Sequence, residues 1–234
     1  MPRVSVPSHL LLVLVVLGVA IPAFFGWQIQ HAGTFTFWLL VVVPTLILAL
    51  LGAIRAQRHG ELRDWIKPRW GDATVGVLSG VVLVAAAYAF TRMVSPTGGA
   101  REAWLARIYM QIGGLADLRP HTTWLAAGII VASMAEELVW RGLVTTVIAE
   151  QWGSRRAWVV SAVLYAVAHL PAAWSLADPS AGPNLLLPAG ALGAGLVWGA
   201  LVRLKGGSLV SAIIAHAFFD WCVVVMFRLW GNGL

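Results

Sequence analysis

Ala135-Glu136-Glu137-Leu138-Val139-Trp140-Arg141-Gly142 places three ionisable side chains inside an apolar segment that runs from about Thr122 to Ala149. A charge near the centre of a bilayer costs at least about 2.5–3.5 kcal/mol, even on lenient insertion scales. Three such groups at mid-depth mark either a functional site or a polar lock between helices. On one helix, Glu137 and Arg141 are four residues apart and share a face. Glu136 points about 100° away from Glu137 and lacks that partner. A carboxylate in that position suits a general base or acid.

Outward from this stretch, the chain reads as membrane protein. Its 234 residues are 59% hydrophobic and 11% charged, with a mean hydropathy of +0.81. Soluble domains hold about 45–50% apolar and about 25% charged residues. Seven apolar runs are long enough to span, at 9–29, 34–54, 73–94, 122–150, 155–175, 186–204 and 208–230. The expected fold is all-α, a polytopic membrane helix bundle of about seven to eight transmembrane helices with an interfacial helix. The latter falls at Arg101–Arg119, where Trp104, Leu105, Ile108, Ile112 and Leu115 recur at helical spacing; a re-entrant piece or an eighth helix is the alternative. Residues 1–120 supply amino-terminal helices and interfacial segments, and 121–234 the catalytic core of one integrated bundle. The first run continues past Pro22 to Trp27, so it reads as a retained helix rather than a cleaved leader.

The net charge of +6 is no nucleic-acid signature, because the cations sit in loops between apolar runs. With the amino terminus inside, Arg3, the cations between 55 and 69, Arg155, Arg156, Arg203 and Lys205 are cytoplasmic. Arg92, Arg101, Arg107, Arg119 and Arg228 then lie outside. Trp27, Trp124, Trp152, Trp158, Trp174 and Trp230 sit near helix ends, as an aromatic belt would. Trp140, Trp198 and Trp221 do not, and are expected inside the bundle. Cys222, the single cysteine, reads as a buried small hydrophobe. The expected location is the plasma membrane of a prokaryote.

Two later runs carry further polar groups. Tyr165-Ala-Val-Ala-His169 precedes Pro171, which is expected to end or bend the helix and open space beside the imidazole. His216-Ala-Phe-Phe-Asp220 puts an imidazole and a carboxylate on one face, where Asp220 could orient His216 or both could bind a ligand, water or metal. Counted from the inner helix ends at 1.5 Å per residue, Glu136, His169, His216 and Asp220 all lie at about 12–22 Å. Between them, Gly190, Ala191, Ala194, Gly195 and Gly199 give the sixth run small packing faces.

Glu136-Glu137-Leu-Val-Trp-Arg141, Tyr165-Ala-Val-Ala-His169 and His216-Ala-Phe-Phe-Asp220 together resemble the CPBP family of intramembrane proteases, which includes type II CaaX prenyl endopeptidases and bacteriocin-processing or immunity proteins. The family pattern is Glu-Glu-x-x-x-Arg, Phe-x-x-x-His and His-x-x-x-Asn or Asp. The resemblance covers roughly 120–225. Tyr165 departs from the usual Phe, and Asp220 stands where the eukaryotic enzymes tend to have Asn. The resemblance implies an endopeptidase acting on a membrane-associated peptide or protein, lipidated chains included. Glu136 and His169 would activate water, His216 and Asp220 would stabilise the oxyanion or hold the site, and Glu137, Arg141 and Tyr165 would shape it. His169, His216 and Glu136 could also hold Zn2+ with an open position. The His-Glu-x-x-His signature of common zinc proteases is absent, which favours metal-independent water activation. Two other readings compete: a non-catalytic immunity or scaffold protein of the same family, and an ion-coupled transporter.

Overall fold

The computed structural model describes residues 7–114 and 118–226. Arg3, Leu115, Arg228, Trp230 and the end of the seventh apolar run lie outside the described residues. The described chain is helical, with elements α1 (Ser8–Gly26), α2 (Phe35–His59), α3 (Leu62–Ile66), α4 (Asp72–Val94) and α5 (Glu102–Ile112) in its first half. Then come α6 (Thr122–Trp152), α7 (Ser154–Ser175), α8 (Leu186–Leu204) and α9 (Val210–Trp221). Helix α9 continues into a π-helical stretch, Cys222–Met226. Short 3-10 turns, Ile29–His31 and Arg119–His121, lead into α2 and α6.

Helices α1, α2, α4, α6, α7 and α8 are each long and apolar enough to cross a membrane. Val210–Met226 is a shorter apolar helix. Helix α5, with 11 residues, reaches only about 16 Å at 1.5 Å per residue, too short to span. It lies instead at one end of the bundle, its Trp104, Leu105, Ile108 and Ile112 packed with Trp27, Phe37, Leu176 and Leu186. Both halves of the sequence share the main core, where Leu12 and Val15 of α1 cluster with Ala168 of α7 and Trp198 of α8. Large apolar side chains such as Leu50, Val82, Leu78 and Phe35 face outward, as a bilayer solvent requires.

Local chemistry explains the boundaries. Thr34 caps α2 by accepting the Phe37 N–H, and Gly60 closes it at φ 77°, in the left-handed region that suits glycine. Asp72 opens α4, where its carboxylate takes the Arg69 N–H at 2.6 Å and pairs with Lys205 at 3.4 Å.

Two expectations need correction. Of the two outcomes expected at Pro171, an end or a bend, the first does not occur, because α7 runs on to Ser175. Ala172 and Ala173 of the last turn are fully buried, and the Ala173 carbonyl accepts the Asn184 N–H at 2.8 Å. Packing thus holds a turn that proline weakens, a common outcome inside membrane bundles. Trp27 is no belt residue: it is buried against Phe37, with ring centroids 4.9 Å apart. Trp124, Trp152 and Trp174 are exposed at helix ends.

Candidate active site

Helix α6 carries the acidic pair at the point where its geometry changes. Glu136 and Glu137 close an α-helical segment, and Leu138–Val144 is π-helical before α-geometry resumes at Thr145. Wider π turns leave carbonyls in need of other donors and recur at functional sites. Here the Trp140 carbonyl accepts from the Thr145 hydroxyl at 2.8 Å and the Ser161 hydroxyl at 2.6 Å. The stretch is wedged from below by Trp65, whose ring lies so close to Gly142 that an added Cβ would sit 2.6 Å from it. Across the bundle, Gly195 of α8 leaves room for the Arg141 guanidinium and the Tyr165 ring, which a Cβ would meet at 3.1 and 3.2 Å.

The side chains form one connected set. Arg141 Nη1 donates to Glu137 Oε1 at 3.1 Å. The same oxygen holds His216 Nδ1 at 2.9 Å. His216 Nε2 then faces Asp220 Oδ2 at 3.4 Å and Glu136 Oε2 at 4.0 Å. Ser133, one turn before Glu136, donates to Asp220 Oδ2 at 3.2 Å. The Tyr165 hydroxyl donates to Glu136 Oε2 at 2.7 Å, so Glu136 does have a partner, from α7 and not from its own helix. His169 Nδ1 donates to the Tyr165 carbonyl at 2.8 Å, which leaves Nε2 as the lone-pair atom of the neutral ring. Aromatic faces fix the rest. The Trp198 ring stacks on His216 with centroids 3.7 Å apart, and Arg141 lies over both Trp198 and Tyr165.

Burial divides the set into an enclosed part and an edge that faces a cavity. Glu137, Arg141 and His216 are enclosed, with side-chain exposures of 0%, 3% and 4%, while Glu136 and Asp220 keep 25% and 32%. Glu136, Tyr165, His169, His216 and Asp220 line a cavity of about 460 Å³; Glu137 and Arg141 do not. Its remaining wall is apolar, from Leu83 to Thr91 on α4, Leu105 to Ile112 on α5, and Leu186 to Trp198 on α8.

All seven residues singled out from the sequence thus meet in one place. Three features escaped that reading. The tie from Glu137 to His216, 79 residues away, links two motifs that look self-contained; the sequence offers Asp220 either to orient this imidazole or to bind a ligand, water or metal with it. Ser133 has the right helical offset from Glu136 but is a common residue type in apolar helices. Trp198 was expected inside the bundle, though not as the platform for His216. A metal fits poorly. Among the described residues, no group of three His, Cys, Asp or Glu side chains is placed to hold one. His216 Nδ1 is held by Glu137 and His169 Nδ1 by a carbonyl, contacts that orient the two rings and leave Nε2 as the atom each could offer to a ligand.

Comparison with known proteins agrees with the geometry. Residues 119–222 match the family model described as type II CAAX prenyl endopeptidase Rce1-like. No curated protein and no solved structure matches the chain. The matched segment contains Glu136, Glu137, Arg141, Tyr165, His169, His216 and Asp220, and the match supports a CPBP family intramembrane protease.

Proposed function

We propose that this chain is an endopeptidase that hydrolyses a peptide bond of a membrane-associated peptide or protein with a water activated by Glu136 and His169. The observation that carries this reading is the division of the cluster. Two acceptors, Glu136 and His169, stand on the cavity wall and are both held by Tyr165, while the ion pair that fixes His216 is sealed behind it. Tyr165 occupies Glu136 Oε2, which leaves Oε1 to accept from water. A water that donates one hydrogen to Glu136 and the other to His169 Nε2 keeps its lone pairs free for attack.

The steps follow. The water oxygen bonds to the scissile carbonyl carbon as its proton passes to Glu136. The carbonyl oxygen takes the negative charge. With both ring nitrogens protonated, His216 donates Nδ1–H to Glu137 and offers Nε2–H to this oxyanion. The carbon–nitrogen bond then breaks, and Glu136 returns its proton to the departing amine. Asp220 and Ser133 hold the mouth of the site, and Glu137 with Arg141 fixes the orientation of His216 as a positioning pair. The apolar wall expels water, which strengthens each of these polar contacts.

The test is cleavage by purified protein in detergent or liposomes, with His169→Ala beside the unaltered chain. His169→Ala is expected to abolish cleavage while thermal unfolding stays close to that of the unaltered chain. Undiminished cleavage would refute the assignment. No cleavage by the unaltered chain, with His169→Ala only lowering stability, would favour the non-catalytic reading.

A further inference from the structure

Tyr165 departs from the Phe of the family pattern by a single oxygen, and the surroundings of its ring show that packing does not call for that oxygen. The residue is 5% exposed. His169, Trp140 and Trp198 meet its ring edge-on, with centroids 4.6, 5.3 and 6.3 Å away. The Arg141 guanidinium lies 4.7 Å from the centroid. Gly195 of α8 supplies the space, since a Cβ there would stand 3.2 Å from the ring. A phenylalanine would fill the same volume against the same neighbours. Burying a hydroxyl without a partner costs stability, and here the partner is Glu136 Oε2, at 2.7 Å.

Glu136 is a group that needs holding. Its side chain keeps 25% exposure at the cavity wall, and a glutamate with several free torsions does not stay in one place unaided. A competitor for it stands nearby. Glu136 Oε2 lies 4.0 Å from His216 Nε2, the atom assigned above to the oxyanion. A doubly protonated His216 attracts this carboxylate, as it does Asp220 at 3.4 Å. If Glu136 closed on His216, the base and the oxyanion donor would neutralise each other. The Tyr165 hydroxyl donates to the very oxygen that such a pair would use.

We propose that the Tyr165 hydroxyl is a positioning group for the reaction. It anchors Glu136 Oε2 from α7, keeps that carboxylate from closing on His216 of α9, and so leaves Oε1 turned to the attacking water. Tyr165 acts through Glu136 and does not touch the reacting atoms. The proposal rests on the protease reading above.

Tyr165→Phe removes the oxygen and keeps the ring. In purified protein its kcat is expected to fall about tenfold or more, as for the loss of a hydrogen bond to a charged group. KM and the melting temperature are expected to stay close to those of the unaltered chain, because neither substrate contacts nor packing change. An unchanged kcat overturns the proposal, whether or not the melting temperature drops. A raised KM at constant kcat also overturns it, since the hydroxyl would then serve substrate binding.

Infrared spectroscopy reads the hydrogen bond without any substrate. The difference spectrum between the unaltered chain and Glu136→Ala is expected to show a shifted tyrosine side-chain band. Tyr165→Phe identifies its owner against the other two tyrosines, Tyr88 and Tyr109. A spectrum with no tyrosine shift overturns the anchor. If the unaltered chain does not cleave, the protease reading fails, while the infrared shift still decides whether Tyr165 holds Glu136.

Discussion

Glu137 has no solvent exposure, yet a single oxygen of its carboxylate serves both Arg141 and His216. Its Oε2 has no hydrogen-bond partner. Removing one member of a buried ion pair leaves the other charge uncompensated, at about 3–5 kcal/mol. Glu137→Ala is therefore expected to lower the unfolding temperature in detergent steeply, and Glu137→Gln less so, because the amide oxygen can still accept from Arg141. Equal stability of all three chains would contradict the role given to this residue. Cleavage by any folded Glu137→Gln should also be slower, since His216 loses its charged anchor. The sequence already paired Glu137 with Arg141, because four-residue spacing is a property of one helix. It could not pair Glu137 with His216, because that contact depends on how α9 docks against α6. The same limit applied to Glu136: its true partner, Tyr165, sits on another helix.

At the scale of elements, the π-helical stretch of α6 depends on a close approach between Gly142 and Trp65. A methyl group there would lie 2.6 Å from the indole, and overpacking of this kind costs about 1–3 kcal/mol. Gly142→Ala should lower thermal stability, and a parallel Trp65→Leu change should relieve part of the loss. An unaltered melting profile for Gly142→Ala would show that the wedge is not tight. Helix α5 is tied to the α7–α8 connection by Asn184, which donates to the Trp104 carbonyl, and by the Arg107–Asp178 pair at 3.3 Å. Bonds from the Ser180 hydroxyl and backbone N–H, joined by Ala181 N–H and Arg107, hold the Asp178 carboxyl down at about 2 from its ordinary 3.8. A lowered value means that this contribution is full above pH 3.8 and is lost as pH falls through about 2. Acid unfolding of Asp178→Asn should consequently lack that portion of the pH dependence; identical acid profiles would remove the tie. The interfacial character of α5 was visible in its apolar spacing. Its place as the roof of the cavity was not, because no local pattern records which helix ends it covers.

For the whole molecule, most of the bundle was legible, since apolar runs of spanning length report the solvent rather than the packing. Six long helices and the shorter Val210–Met226 match the seven runs within a few residues. What the runs could not show was the cavity beneath α5. Convergence was legible only as shared depth: Glu136, His169, His216 and Asp220 lined up along the membrane normal, whereas their lateral approach needed the fold. Among the described residues no group of three His, Cys, Asp or Glu side chains is placed to hold a metal, and stringent chelation is expected to leave cleavage intact. Loss of activity with a chelator and recovery with added zinc would replace the water-activation scheme. The most direct test of the central claim is the cleavage rate of Glu136→Gln, which keeps the side chain's volume and its ability to accept from Tyr165. The account predicts a folded protein, with a melting temperature close to that of the unaltered chain, that no longer cleaves. A folded Glu136→Gln protein that cleaves at the rate of the unaltered chain would contradict it.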